Sequence, residues 1–191
     1  MPGWLSNNVP ALTVLTGNEQ ASFDTEAASG ANPQTGALSL TQLASALSYY
    51  SANISETLVA GSRYFTQVNV GTPITLNGLQ VLIGGTGGTD KWLVELHSST
   101  GALLATSALA GATVGTANTW QQFAFTSAYN IVAGTYYLAV QTNGTTATLA
   151  AINSPTYPLF TGSATGTFGT SASITPPTAY TAGVGPRMLF Y

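Results

Sequence analysis

From about residue 54 onward the apolar and polar positions of the chain alternate with a period of two. The segments RYFTQVNV (63–70), ITLNGLQVLI (74–83), KWLVELHS (91–98), ALLATSAL (102–109), WQQFAF (120–125), TYYLAVQT (135–142), ATLAAI (147–152) and RMLFY (187–191) are each of strand length. They are rich in Thr, Val and Tyr, and Gly, Asn or Pro separates many of them, which is the composition of strands punctuated by turns. In KWLVELHS the alternation places Trp92, Val94 and Leu96 on one face and Leu93, Glu95 and His97 on the other. In TYYLAVQT it places Tyr136, Leu138 and Val140 opposite Tyr137, Ala139 and Gln141. One buried and one wet face per strand is the pattern of antiparallel sheets packed as a sandwich. Ser98-Ser-Thr-Gly101 reads as a hairpin turn, and WQQFAFTSAYNIVAGTYYLAVQ (120–141) as two strands and a turn. Long helical segments are missing from this region, which argues against a parallel βαβ sheet. The expected fold is all-β, an antiparallel β-sandwich of jelly-roll type over residues 53–191.

Residues 1–52 differ. VPALTVLT (9–16) is of strand length, and the following stretch to Ala37 is short of large apolar residues and rich in turn formers. SLTQLASAL (39–47) predicts one short helix over about 39–48: Ser39 and Gln42 fit a capping box, and Leu40, Leu43, Ala44 and Leu47 share a face. A helix so short is marginal alone and needs a surface to dock on. This part is expected to be an extended arm that attaches the sandwich to a partner. The stretch 154–186, rich in Pro, Gly, Ser and Thr, reads as long loops and short edge strands, because the apolar RMLFY after it returns to the sheet.

Charge changes the picture more than any other compositional figure. Three basic and six acidic residues make up 5% of the 191-residue chain, against roughly 25% in ordinary globular domains. Three basic residues make no phosphate-tracking patch, which argues against nucleic acid as a partner. No apolar run approaches the roughly 20 residues of a membrane span, and MPGWLSNNVPALTVL is a poor signal peptide. There is no cysteine, hence no disulfide and no thiolate metal site.

Candidate chemistry is thin. GGTGGTDK (84–91) lacks the Gly-Lys-Ser/Thr ending and the following helix of a phosphate loop, and reads as a flexible hairpin loop. His97 is the one histidine of the chain, so no two-histidine metal site forms within it. With Asp90 and Glu95 nearby it has the types of an acid–base set, but no G-x-S-x-G elbow accompanies it, and a solvent-facing strand histidine is the simpler reading. Glu19, Asp24 and Glu26 form an acidic cluster in the arm without calcium-loop spacing. No catalytic residue, cofactor or metal is therefore assigned, and no enzyme is expected. Among the aromatics, Trp92 and Tyr136 are expected in the core, while Trp120, Tyr129 and Tyr137 lie on the other face or in turns and are candidate ligand or interface contacts. Sugar-binding sandwiches stack rings on such residues, so a carbohydrate-binding, host receptor-binding module is the alternative function. The sequons at Asn53 and Asn143 carry little weight without a sign of secretion.

Two sets of stretches resemble known proteins. LHSSTGALLATS, WQQFAF and VAGTYYLAV are similar to a repeat of extracellular and viral β-sandwich modules over about residues 91–141. LTGNEQASFDTEAASGANPQTGALSLTQLA (15–44) and SITPPTAYTAGVGPRMLFY (173–191) resemble end segments of small tailed-bacteriophage virion proteins. The resemblance implies a structural protein on the virion surface, assembled in the host cytoplasm. It would be a head decoration (cement) protein or a fibre or spike component, attached through its arm to capsid or tail subunits. It carries no catalytic residues. Sparse charge leaves strand edges weakly protected, so a homo-oligomer is expected, a trimer before a dimer.

Overall fold

The computed structural model describes residues 21–23, 36–38, 53–153 and 160–191. The chain divides into two units, 1–47 and 48–191. Of the first, β1 (Ala21–Phe23) and β2 (Gly36–Leu38) form an antiparallel pair. The strand expected at 9–16 and the helix expected at 39–48 lie outside the described residues.

The second unit is all-β. Its strands are β3 (Asn53–Thr57), β4 (Arg63–Val70), β5 (Ile74–Leu82), β6 (Lys91–Ser98), β7 (Leu103–Thr106), β8 (Ala112–Thr113), β9 (Trp120–Ile131), β10 (Gly134–Thr142), β11 (Thr148–Ile152), β12 (Thr161–Ala164), β13 (Gly185–Pro186) and β14 (Met188–Phe190). No helix occurs among the described residues. The expected strands fall where the period-two segments lie, and WQQFAF continues as far as Ile131. Every pairing is antiparallel. One sheet runs β12-β4-β10-β6-β7, with β8 also on β6; two three-stranded sheets run β14-β5-β9 and β13-β11-β3. A bridge between Ile83 and Leu149 links the two smaller sheets, and one between Ser107 and Phe125 links β7 to β9.

A single apolar core lies between the large sheet and the smaller ones. It gathers Trp92, Val94 and Leu96 of β6, Leu138 and Val140 of β10, Leu79 and Val81 of β5, Phe123 and Phe125 of β9, Leu149 and Met188. Burying such side chains contributes about 1.5–3 kcal/mol each, which is what holds two sheets face to face. Trp92 and Tyr136 are buried, as the alternation predicts.

The expected wet face of the large sheet is a different matter. Leu93, Glu95, His97, Tyr137, Ala139 and Gln141 are all buried, so β6 and β10 are covered on both faces. The cover is the Gly- and Pro-rich stretch from Phe160 to about Pro177. β12 adds to the edge of β4, and Ile174, Phe160 and Ala164 pack with Phe65, Tyr137 and Ala139 in a second apolar cluster. The residues after Ala164 hold no strand until Gly185, yet they are tied down: Ile174 N donates to Gly101 O at 2.9 Å and Tyr180 Oη to Ile152 O at 2.8 Å. Gly101 closes the β6–β7 turn at φ +85°, a conformation glycine adopts without strain.

The connection 84–90 also departs from expectation. It is not a hairpin loop, because β5 and β6 belong to different sheets. It crosses between layers and is bonded at both ends. Gly84 N donates to Thr148 O, Thr86 N to Thr148 Oγ1 at 2.9 Å, and the buried Asp90 carboxylate accepts from Thr146 N at 2.7 Å and Ala147 N at 2.8 Å.

Candidate functional site

Two groups of residues deserve the name of candidate site, one sealed and one open. The sealed group sits beneath the cover. Arg63 opens β4, Glu95 and His97 alternate along β6, and Gln141 lies on β10 between those strands. The small side chain of Ala139, paired with both Phe65 and Glu95, lets Arg63 reach across β10. Glu95 Oε2 then lies 2.8 Å from Arg63 Nε and 3.2 Å from His97 Nε2. The far side of the imidazole, Nδ1, lies 3.3 Å from Gly101 O. Arg63 Nη2 donates to the carbonyl of Thr170. Gln141 Nε2 donates to Gly61 O at 3.0 Å and to Thr167 O at 3.1 Å, and its Oε1 accepts from Gly169 N.

The group thus binds backbone atoms of 167–170 and of the β6–β7 turn. Glu95 and His97 are 0% exposed, so no substrate atom can reach them in this arrangement. His97 is not the solvent-facing residue expected; the covering stretch removes the water the alternation assigned to it. Among the described residues no cluster of His, Asp and Glu has the form of a metal site.

The open group lies on the outer face of β14-β5-β9. The register stacks three rows across the strands. Leu82 pairs with Trp120; Leu189 pairs with Gln80, which pairs with Gln122; Gly78 pairs with Ala124. The opposite parity, Met188, Leu79, Val81, Phe123 and Phe125, faces the core, so these rows face outward. The ring of Tyr191 lies over Gly78, with Cε1 2.6 Å from where a β-carbon would stand. Trp120 is 40% and Leu189 38% exposed, Gln122 is exposed, and Gln80, Leu82 and Tyr191 are half-buried. Beside Gln122 and Ala124 a hollow of about 110 Å3 opens, bounded also by Ser107 and Gly111. None of the side chains in the three rows carries a formal charge at neutral pH.

Of the three aromatic residues singled out from the sequence, Trp120 alone stands on an accessible sheet face. Tyr129 pairs with Leu76, is half-buried and packs against the core. Tyr137 is 3% exposed and stands edge-on to Phe65, with ring centroids 6.5 Å apart at 85°. It belongs to the cluster under the cover, because the covering stretch packs on the face where alternation placed it. The three do not converge. Gln80, Gln122, Leu189 and Tyr191 were not singled out; alternation puts each on a definite strand face, but the pairing of β14 with β5, more than a hundred residues apart, is not written in any local pattern. Comparison of the chain with protein-family models, with curated proteins and with solved structures finds no match.

Proposed function

We propose that the chain is a non-catalytic structural protein of a tailed-bacteriophage virion, displayed on the particle surface and attached through residues 1–52. The closure of the Arg63–Glu95–His97 group carries this reading: a buried ion-pair group fastens a cover to a sheet and presents nothing to solvent. The likeness of residues 15–44 and 173–191 to virion proteins supports the location, on the head as a decoration protein or on the tail as a fibre or spike component. The strand pairing supports a jelly-roll reading of the sandwich. β3 with β11, β4 with β10, β5 with β9 and β6 with β7 are the four rungs of one long hairpin, and the β10–β6 pairing and the Ile83–Leu149 bridge beside β5 and β11 are the contacts that rolling it up creates. A homo-oligomer, a trimer before a dimer, fits a surface with so few charges.

Mass spectrometry and cryo-EM of purified particles test the proposal. The chain is expected in stoichiometric amount on the outside of the particle, and its absence from intact virions would overturn the reading.

A further inference from the structure

We propose that the outer face of the β14-β5-β9 sheet binds a neutral glycan, with Trp120 as the stacking ring and the amides of Gln80 and Gln122 as its hydroxyl-binding groups. The proposal stands apart from where the chain is mounted, since it rests on this face alone.

The layout is set by the strands. Trp120 and Leu82 form one end, the paired glutamines the middle, and Tyr191 over Gly78 the other end. Trp120 and the row of Ala124 are four residues apart on β9, roughly 13 Å at about 3.3 Å per residue, and three strands span roughly 10 Å. This is a platform with room for more than one sugar ring.

Charge and hydrogen-bonding capacity together decide what fits it. The side chains of these rows carry no formal charge, so they offer no counter-charge to an acidic or basic partner. A dry apolar partner would cover two primary amides, each with two donors and one acceptor oxygen, and burying such groups unpaired is costly. A partner is needed that is neutral, dense in hydroxyls that both donate and accept, and apolar on one side. A hexose has that composition. Its C–H face meets the electron-rich face of an indole ring, and its hydroxyl rim meets the amides. Leu189 and Leu82 extend the apolar floor, and the hollow beside Gln122 admits a substituent.

Native electrophoresis of the full-length protein through gels containing a soluble β-glucan, a galactomannan, dextran or, as a charged control, alginate tests the proposal. The protein should be retarded by at least one neutral polymer and not by alginate. Trp120→Ala should weaken that retardation about tenfold or more, the scale of losing about 1.4 kcal/mol. The double variant Gln80→Ala/Gln122→Ala should weaken it several-fold, and Val132→Ala, at an exposed residue of the β9–β10 turn, should leave it unchanged. Thermal unfolding of each variant checks that the fold persists. Passage through all neutral gels without retardation, or retention of full retardation by Trp120→Ala, would overturn the proposal. So would sedimentation in which Trp120→Ala or Gln80→Ala/Gln122→Ala dissociates an oligomer, because the face would then be an interface between copies. None of these results alters what mass spectrometry finds in the particle.

Discussion

Arg63 and Glu95 are joined across an intervening strand, Nε to Oε2 at 2.8 Å, and both side chains are buried. The pair is the ionic centre of a layer that also holds the buried His97 and Gln141 beside the apolar cluster of Phe65, Tyr137 and Ile174. A buried pair gains little over a well-packed apolar pair, but breaking it leaves a charge without its partner. Arg63→Ala and Glu95→Ala should each destabilise the fold by about 3–5 kcal/mol. Replacing both together, as Arg63→Met/Glu95→Leu, should cost much less than the sum. Urea unfolding checks this through a large fall in midpoint for the single variants and a partial return for the double.

Gly101 couples the β6–β7 turn to the cover. Its φ of +85° disfavours any side chain, and a β-carbon there would collide with the carbonyl of Ile174. The left-handed conformation alone costs a non-glycine residue roughly 1–2 kcal/mol, and the collision displaces the segment that Ile174 N anchors to Gly101 O. Gly101→Ala should therefore loosen the cover more than the sandwich. Limited proteolysis should cut the variant within 165–176 at protease levels that leave the parent intact. Equal resistance of the two would refute the coupling.

Asp90 closes the crossing between layers by accepting two backbone N–H groups, of Thr146 and Ala147. Asp90→Ala leaves both donors without that acceptor, and a buried unsatisfied group costs about 1–3 kcal/mol. The expected loss is about 2–4 kcal/mol, since two such donors are involved. Asp90→Asn keeps one carbonyl oxygen in place and should lose less. Thermal unfolding of the two variants gives the order directly.

The strands were legible because each carries its own period of two. RYFTQVNV and KWLVELHS match β4 and β6 end to end, and Trp92 and Tyr136 fall on the core side as alternation requires. What was not legible is what lies on top. His97 and Tyr137 occupy positions that a two-layer sandwich leaves wet, and only the packing of Ile174 and Phe160, held by turns of Gly, Thr and Pro without periodicity, makes them dry. The same limit hid the open face. Gln80, Gln122 and Leu189 form one row because β5 sits between β14 and β9, an order fixed by the roll of the whole chain. Trp120 was legible as a contact because a Trp at a strand start, on the parity opposite Phe123 and Phe125, has no core to enter.

Burial under the cover also makes the fold sensitive to alkali. Burial raises the Tyr137 phenol above its ordinary value of 10.0, because the phenolate is poorly solvated in an apolar cluster. Burial raises Tyr180 and Tyr191 in the same direction. The sign follows from linkage. A phenol whose folded value lies above its unfolded value contributes stability that is fully present below pH 10.0 and is lost as pH rises through the folded value, because the unfolded chain gives up the proton first. Stability should be flat through neutral pH as far as these groups are concerned and should fall above about pH 10. Tyr137→Phe keeps the ring against Phe65, so it should change stability at pH 7 by less than about 1 kcal/mol and move the alkaline unfolding midpoint upward. Spectrophotometric titration of tyrosinate, followed together with unfolding, checks both. An unchanged alkaline midpoint in Tyr137→Phe would show that another group sets the transition.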